Sequence, residues 1–223
     1  MGWFGPFIHS GTLRRAVAQA HAWPDAARVV NRHRAFVRIK STYAIGAPPE
    51  ASIMPSDYSG LAELRFLTDV ARRVLQIPGS LCYFNPNGES LHTAAALDDL
   101  LAYHAARDLL PLEVWSNARL FNIDDAEGWS MVDTIGMDQL DVVDHEACFL
   151  SDRFDVQEVV NFLRNATSYV QKSGPVIKDG DTMNGPGGIN WQGRSFGESV
   201  APAPRSVLRW LPCDGSEPPA RLR

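Results

Sequence analysis

The stretch RLFNIDDAEGWSMVDTIGMDQLDVVDHEACFL, residues 119–150, decides the fold. Its apolar and β-branched residues fall into short runs broken by acidic turns, the pattern of strands and not of one long helix. Arg119–Asp124 reads as a strand and Trp129–Ile135 as its antiparallel partner, with Asp125–Ala126–Glu127–Gly128 turning the chain between them. Gly136–Val143 reads as a short irregular or helical connection, and His145–Leu150 as the next strand. The period then changes. Across Asp152–Lys172, Val156, Val159, Leu163, Ala166 and Val170 recur at helical spacing, with Val160 beside them. Ser151 or Asp152 is placed to cap this helix, and Gly174–Pro175 stops it.

Working outward, residues 12–30 read as helical, interrupted at Trp23–Pro24, where Pro24 opens a second short helix. Residues 34–43 alternate as a strand, with Ala35, Val37 and Ile39 on one face and Phe36, Arg38 and Lys40 on the other. Leu64, Leu67, Val70 or Ala71, and Val74 form the stripe of a helix over 60–76 that Ser59 or Asp57 caps. Leu81–Phe84 makes a short strand, Asn85–Pro86–Asn87–Gly88 a turn, and Ser90 the cap of a helix running to about Asp108. Beyond Gly174, Val176 and Ile177 mark one strand, 184–204 reads as a long glycine- and proline-rich loop, and Ser206–Leu211 as the last strand. These elements predict an α+β fold, a mostly antiparallel sheet packed against three or four helices. No linker divides the chain, so residues 1–211 are expected to form a single domain and 212–223 a flexible C-terminal tail.

The chain has 223 residues, 45% of them hydrophobic, which supports a sizeable core. No apolar run is long enough to span a membrane, and Met1–Phe4 does not read as the start of a signal peptide. The expectation is therefore a cytoplasmic protein without a membrane partner. Cys82, Cys148 and Cys213 are too widely spaced for a metal or redox motif. The net charge of -5 is unevenly distributed. Residues 1–40 carry seven basic groups against Asp25, whereas residues 98–158 carry 15 carboxylates against Arg107, Arg119 and Arg153. A surface made from the middle segment repels nucleic acid and attracts a basic partner.

No catalytic, cofactor or metal residue is assigned. Asp133, Asp138, Asp141, Asp144, His145 and Glu146 offer oxygen and imidazole ligands, but lack calcium-loop spacing and an HExxH helix. On a strand, Asp144 and Glu146 face together and His145 points away. Asp179–Gly180–Asp181–Thr182 has the composition of a turn, and Asn184–Gly188 matches neither phosphate-binding glycine pattern. His92 and His104 are too far apart for one local clamp, and no GxSxG elbow occurs. The arginines of residues 14–38 fall on different elements, so nucleic-acid binding is not expected.

The string Met131–Leu140, followed by Asp144–Phe149 and, after the helix, Val176–Thr182, resembles a bacterial family, domain of unknown function 4261. The likeness is strongest over residues 112–211, and Val30–Val37 is compatible with the amino half of that family. Some members resemble proteins encoded near secreted toxins, which implies an immunity role and transfers no catalytic residue. The reading that follows is a non-enzymatic protein-binding module, an immunity protein that occludes the active site of a basic protein toxin through an acidic surface. Trp115, Phe121 and Trp129 are its expected anchors, and Asp124, Asp125, Glu127, Asp138 and Asp141 its electrostatic contacts. The alternatives are a small metal-dependent hydrolase using the acidic 124–146 region, and a homodimer joined through oppositely charged segments.

Overall fold

The computed structural model describes residues 11–43, 45–48, 50, 54–124 and 126–223. In chain order the elements are α1 (Thr12–Ala18), α2 (Ala26–Val30), α3 (Gly60–Leu75), β1 (Tyr83–Asn85), β2 (Ser90–His92), α4 (Ala94–Ala105), α5 (Leu112–Trp115), β3 (Asn117–Asn122), β4 (Trp129–Ile135), β5 (Asp144–Leu150), α6 (Val156–Ser173), β6 (Thr182–Asn184), β7 (Asn190–Phe196) and β8 (Val207–Pro212). β1 and β2 form a separate hairpin, and the central sheet has the order β3-β4-β5-β8-β7-β6. The fold is α+β. Every neighbouring pair in the central sheet is antiparallel except β5 with β8, which run parallel.

Strand alternation sends the two faces of this sheet to different environments. Val132, Ala147, Phe149, Leu208, Trp210 and Trp191 pack beneath Val159, Phe162, Leu163 and Ala166 of α6. Asp155, and not Ser151 or Asp152, caps α6 by accepting from the Glu158 amide at 3.0 Å, because Ser151–Phe154 forms a turn before the helix opens. The other face carries Met131 and Cys148, covered by Ile123, Ala126, Ala201 and Leu222. Leu222 is fully buried, so the segment expected to be a flexible tail is docked against the sheet.

Four further elements differ from the sequence expectation. The strand expected at Val176 and Ile177 is absent there, and the edge strand β6 begins only at Thr182, beyond the Asp179–Gly180 turn. Ser90 belongs to β2, and Thr93 caps the following helix by accepting from the Ala96 amide at 3.1 Å. β7 lies within the expected 184–204 loop. Its glycine is a packing device, since a Cβ on Gly193 would stand 3.2 Å from the Trp210 ring. Residues 34–43 form no strand. Their alternation is real, but no neighbouring strand meets them, and an isolated strand has no ladder to stabilise it.

The β1–β2 turn and the β4–β5 connection touch backbone to backbone. A Cβ on Gly136, where φ is +104°, would lie 2.4 Å from Gly88 Cα, and one on Gly88 would lie 1.8 Å from the Trp115 carbonyl oxygen. This contact joins the helical amino half to the sheet. Gly136→Ala adds a clash to a left-handed backbone and is expected to lower stability by about 2–4 kcal/mol in urea denaturation. An unchanged midpoint would show that the turns can separate freely.

Candidate functional site

On the sheet face opposite α6, the register places Arg119, Asp133, Glu146 and Arg209 directly across from one another on β3, β4, β5 and β8. All four are buried. Charges removed from water at this depth are tolerated only when paired and hydrogen-bonded, and each of these is. Arg119 donates to Asp133 through Nε at 2.9 Å and Nη2 at 2.5 Å, a bidentate pair, and through Nη1 to Glu89 at 2.9 Å. Arg209 Nε donates to Glu146 at 3.0 Å, and the other oxygen of Glu146 accepts from the Val200 amide at 2.8 Å.

Glu89 and Arg205 extend this layer from outside the sheet. Glu89 is fully buried, with φ at 48°, in the turn that Gly88 brings against Trp115, and its second partner is Arg15 of α1, whose Nε donates to it at 2.7 Å. Arg205 precedes β8. It donates to Asp133 at 2.6 Å, to Asp144 at 3.0 Å and to the carbonyls of Thr134 and Ala203. Asp144 also accepts from Thr134 Oγ1 and from the amides of Gly136 and Met137. Three guanidinium groups and three carboxylates thus join α1, the β1–β2 turn and the sheet into one neutral cluster. Burial weakens the Arg119 charge, but Asp133 and Glu89 outweigh it and hold the guanidinium above its usual range.

A cleft of about 540 Å³ opens over this cluster. Glu89, Asp144 and Arg205 contribute to its lining from the ion layer, and Asp138, Asp141 and Val143 from the β4–β5 connection. Met137 and Leu140 anchor that connection in the core formed with α3, α4 and α5, which leaves Asp138 and Asp141 exposed.

The acidic set read from the sequence is therefore divided. Asp124 and Glu127 are exposed at the β3–β4 turn, whereas Asp138 and Asp141 are exposed at the opposite end of β4, and Asp125 lies outside the described residues. Asp133, Asp144 and Glu146 are inside and paired with arginine. The middle segment does not gather into one accessible acidic face, because Asp133, Asp144 and Glu146 are scaffold of the sheet and the exposed acids lie at both ends of β4. The aromatic anchors are corrected too. Trp115 is fully buried and donates to Thr68 Oγ1 at 2.9 Å, Trp129 is buried near Ile123 and Ala126, and Phe121 is half-buried with the Arg119 guanidinium 5.1 Å from its ring centre.

The groups weighed for hydrolysis do not converge. Arg205 bridges Asp133 and Asp144, His145 faces α6 on the other side of the sheet, and Asp181 adjoins the far edge strand, where it accepts from the Lys178 amide. His145 Nδ1 accepts from Trp210 Nε1 at 3.2 Å, while its Nε2 is buried without a hydrogen-bond partner. His104 is buried and donates to the Leu100 carbonyl. Among the described residues, no three His, Cys, Asp or Glu side chains are grouped to hold a metal ion. The sequence reading missed Glu89 and Arg205, and took Arg15 only as one of the amino-terminal arginines. The available signal was Asp133 itself, a charge in an apolar row with Met131 and Ile135, which requires a buried cation.

The fold and this cluster define an α+β domain whose sheet is locked to its helical amino half by buried ion pairs. Residues 133–211 match the model of the family described as a domain of unknown function (DUF4261). The matched segment supplies Asp133, Asp144, Glu146, Arg205 and Arg209, while Arg15, Glu89 and Arg119 come from the preceding chain. No curated protein and no solved structure matches.

Two measurements test the cluster. Arg119→Met leaves Asp133 and Glu89 buried with one guanidinium fewer, and is expected to cost about 3–5 kcal/mol in denaturant unfolding. A loss under about 1 kcal/mol would place these charges in contact with water. The second concerns pH. Burial pushes Asp144 up to about 6, against the pull of Arg205 and of the Met137 and Gly136 amides, and burial pulls His145 down to about 4. Asp144 binds its proton more tightly folded than unfolded, so its contribution to stability falls as pH rises from 3.8 to about 6. Glu146, also raised by burial, has the same sign. His145 binds its proton less tightly folded than unfolded, so its contribution rises between about 4 and 6.5 and opposes theirs. His145→Gln, which retains an acceptor for Trp210, is expected to leave a stability that falls with rising pH across this window in urea titrations. A variant that parallels the wild type would contradict the opposition.

Proposed function

We propose that the protein is a non-enzymatic protein-binding module whose cleft receives basic side chains of a partner. One observation carries this reading: Asp138 and Asp141 stand exposed at a cleft of about 540 Å³ whose adjoining carboxylates, Glu89 and Asp144, are already held by arginine. The inner carboxylates fix the shape of the cleft, and the outer two remain for recognition. Fixed acidic groups raise the encounter rate with a cationic surface and set its orientation, while contact with Val142, Val143, Pro204 and Ile135 supplies apolar area.

In its particular form the reading is an immunity protein in a bacterial cytoplasm, neutralising a basic toxin by covering its active site. The charge of the cleft rim and the resemblance in the carboxyl half support it. Three free cysteines suit a reducing compartment. Among the described residues no helix is long and apolar enough to cross a membrane. The pairing of Asp133 and Asp144 by Arg205 favours this reading over a metal-dependent hydrolase, because a carboxylate filled with guanidinium and amide donors has little capacity left for a cation or a substrate proton.

The test is capture of basic proteins encoded by neighbouring genes on immobilised wild-type protein and on Asp138→Lys/Asp141→Lys, both at low salt. At least a tenfold loss of retained partner is expected from the variant, with the same circular dichroism spectrum. Equal capture by both would remove the cleft from the interface.

A further inference from the structure

Two features away from the cleft complement each other. The first is the segment from Arg34 to Ile39. It makes no backbone hydrogen bond to any described residue, and it leaves Phe36 75% and Val37 70% exposed. Its sequence alternates as a strand does, with Arg34, Phe36 and Arg38 on one side and Ala35, Val37 and Ile39 on the other. The Arg38 guanidinium lies 5.7 Å from the Phe36 ring centre, so that side presents an aromatic ring between two cations.

The second is the free edge of the central sheet. β6 pairs with β7 on one side only. The Gly193 amide donates to the Asp181 carbonyl and the Gly185 amide to the Ile189 carbonyl, so Asp181, Met183 and Gly185 turn their backbone groups toward β7. In an antiparallel ladder the alternate residues face away. The N–H and C=O groups of Thr182 and Asn184 therefore point to the open edge. Beside them is a groove of about 520 Å³ lined by Tyr169, Val176, Ile177, Asp181, Thr182 and Met183. Tyr169 is 50% and Val176 43% exposed. The opposite edge of the sheet is capped at Leu120. The Gln19 side chain accepts from the Leu120 amide at 3.1 Å and donates to its carbonyl at 3.0 Å, taking the place of a neighbouring strand on β3.

We propose that residues 34–39 of one copy of this chain add as a strand to the β6 edge of a second copy. Three observations select this occupant. Among the described residues the donor has the period and length of a strand and no ladder, while the acceptor has unused ladder groups beside a groove. The charges are complementary at Asp181, the carboxylate that lines the groove beside this edge and faces the incoming Arg34 and Arg38. Every copy also carries both halves, so reciprocal addition closes a symmetric dimer. Phe36 and Val37 leave water at the new interface, and the sheet gains a strand beyond β6.

Sedimentation equilibrium of the full chain over a concentration series tests the proposal, with two variants on opposite sides of the contact. Thr182→Pro removes an N–H that points away from β7, so the existing ladder survives. Phe36→Asp/Val37→Asp alters only the exposed segment. The wild type is expected to dimerise, and each variant to weaken the dimer at least tenfold with an unchanged circular dichroism spectrum. A wild type that stays monomeric throughout the series overturns the proposal, as does a dimer that both variants leave intact. Neither variant touches Asp138 or Asp141, so failure here is distinct from failure of the cleft.

Discussion

The guanidinium–carboxylate layer on one face of the sheet is the constraint on which the rest of the structure depends. Removing Arg119, Asp133, Glu146 and Arg209 from water carries a desolvation penalty of several kcal/mol for each ion. Only dense pairing offsets it, and the pairing dictates what must lie nearby. Asp133 needs two arginines, and the second comes from the loop before β8. Arg119 needs a second carboxylate, which comes from a turn of the amino half held at a positive φ. The close contact between Gly88 and Gly136 brings the turn that carries this carboxylate against the sheet.

The same layer separates scaffold from surface. A carboxylate that accepts from a guanidinium and from backbone amides holds a loop in place but leaves little capacity for chemistry. Asp144 does this at the start of β5, fixing Gly136 and Met137 at the head of the β4–β5 connection. That connection then presents Asp138 and Asp141 on a support with one side in the core. A rigid support lowers the ordering cost of binding, so two exposed acids here are better placed for recognition than two on a free loop. The opposite face of the sheet is apolar and aromatic. His145 is accommodated there as a neutral ring that accepts from Trp210.

Much of the architecture was legible because it rests on local periodicity. The β3–β4 hairpin, β5 and α6 follow from alternation in 119–150 and from the valine stripe beyond it. β7 was hidden because its glycine, a loop signal in isolation, is required by the Trp210 ring across the sheet. The strand expected at 34–43 failed for the converse reason, since a strand pattern needs a neighbour that sequence cannot supply. The site was legible only in part. Asp138 and Asp141 are exposed, whereas Trp115 and Trp129 belong to the core and the acidic stretch is split between interior and two ends of β4. Local charge density does not show which carboxylates will be met by Arg15, Arg119 or Arg205, because those pairings cross up to 74 positions of sequence.

The most direct test of the buried layer is a double-mutant cycle on Arg119 and Asp133, comparing Arg119→Met, Asp133→Asn and the combined variant by denaturant unfolding at neutral pH. A coupling energy of about 2–3 kcal/mol, little changed by added salt, is expected for a desolvated bidentate pair. A coupling below about 0.5 kcal/mol, or one that vanishes in high salt, would mean that these charges remain in water and that the sheet is held together by other contacts.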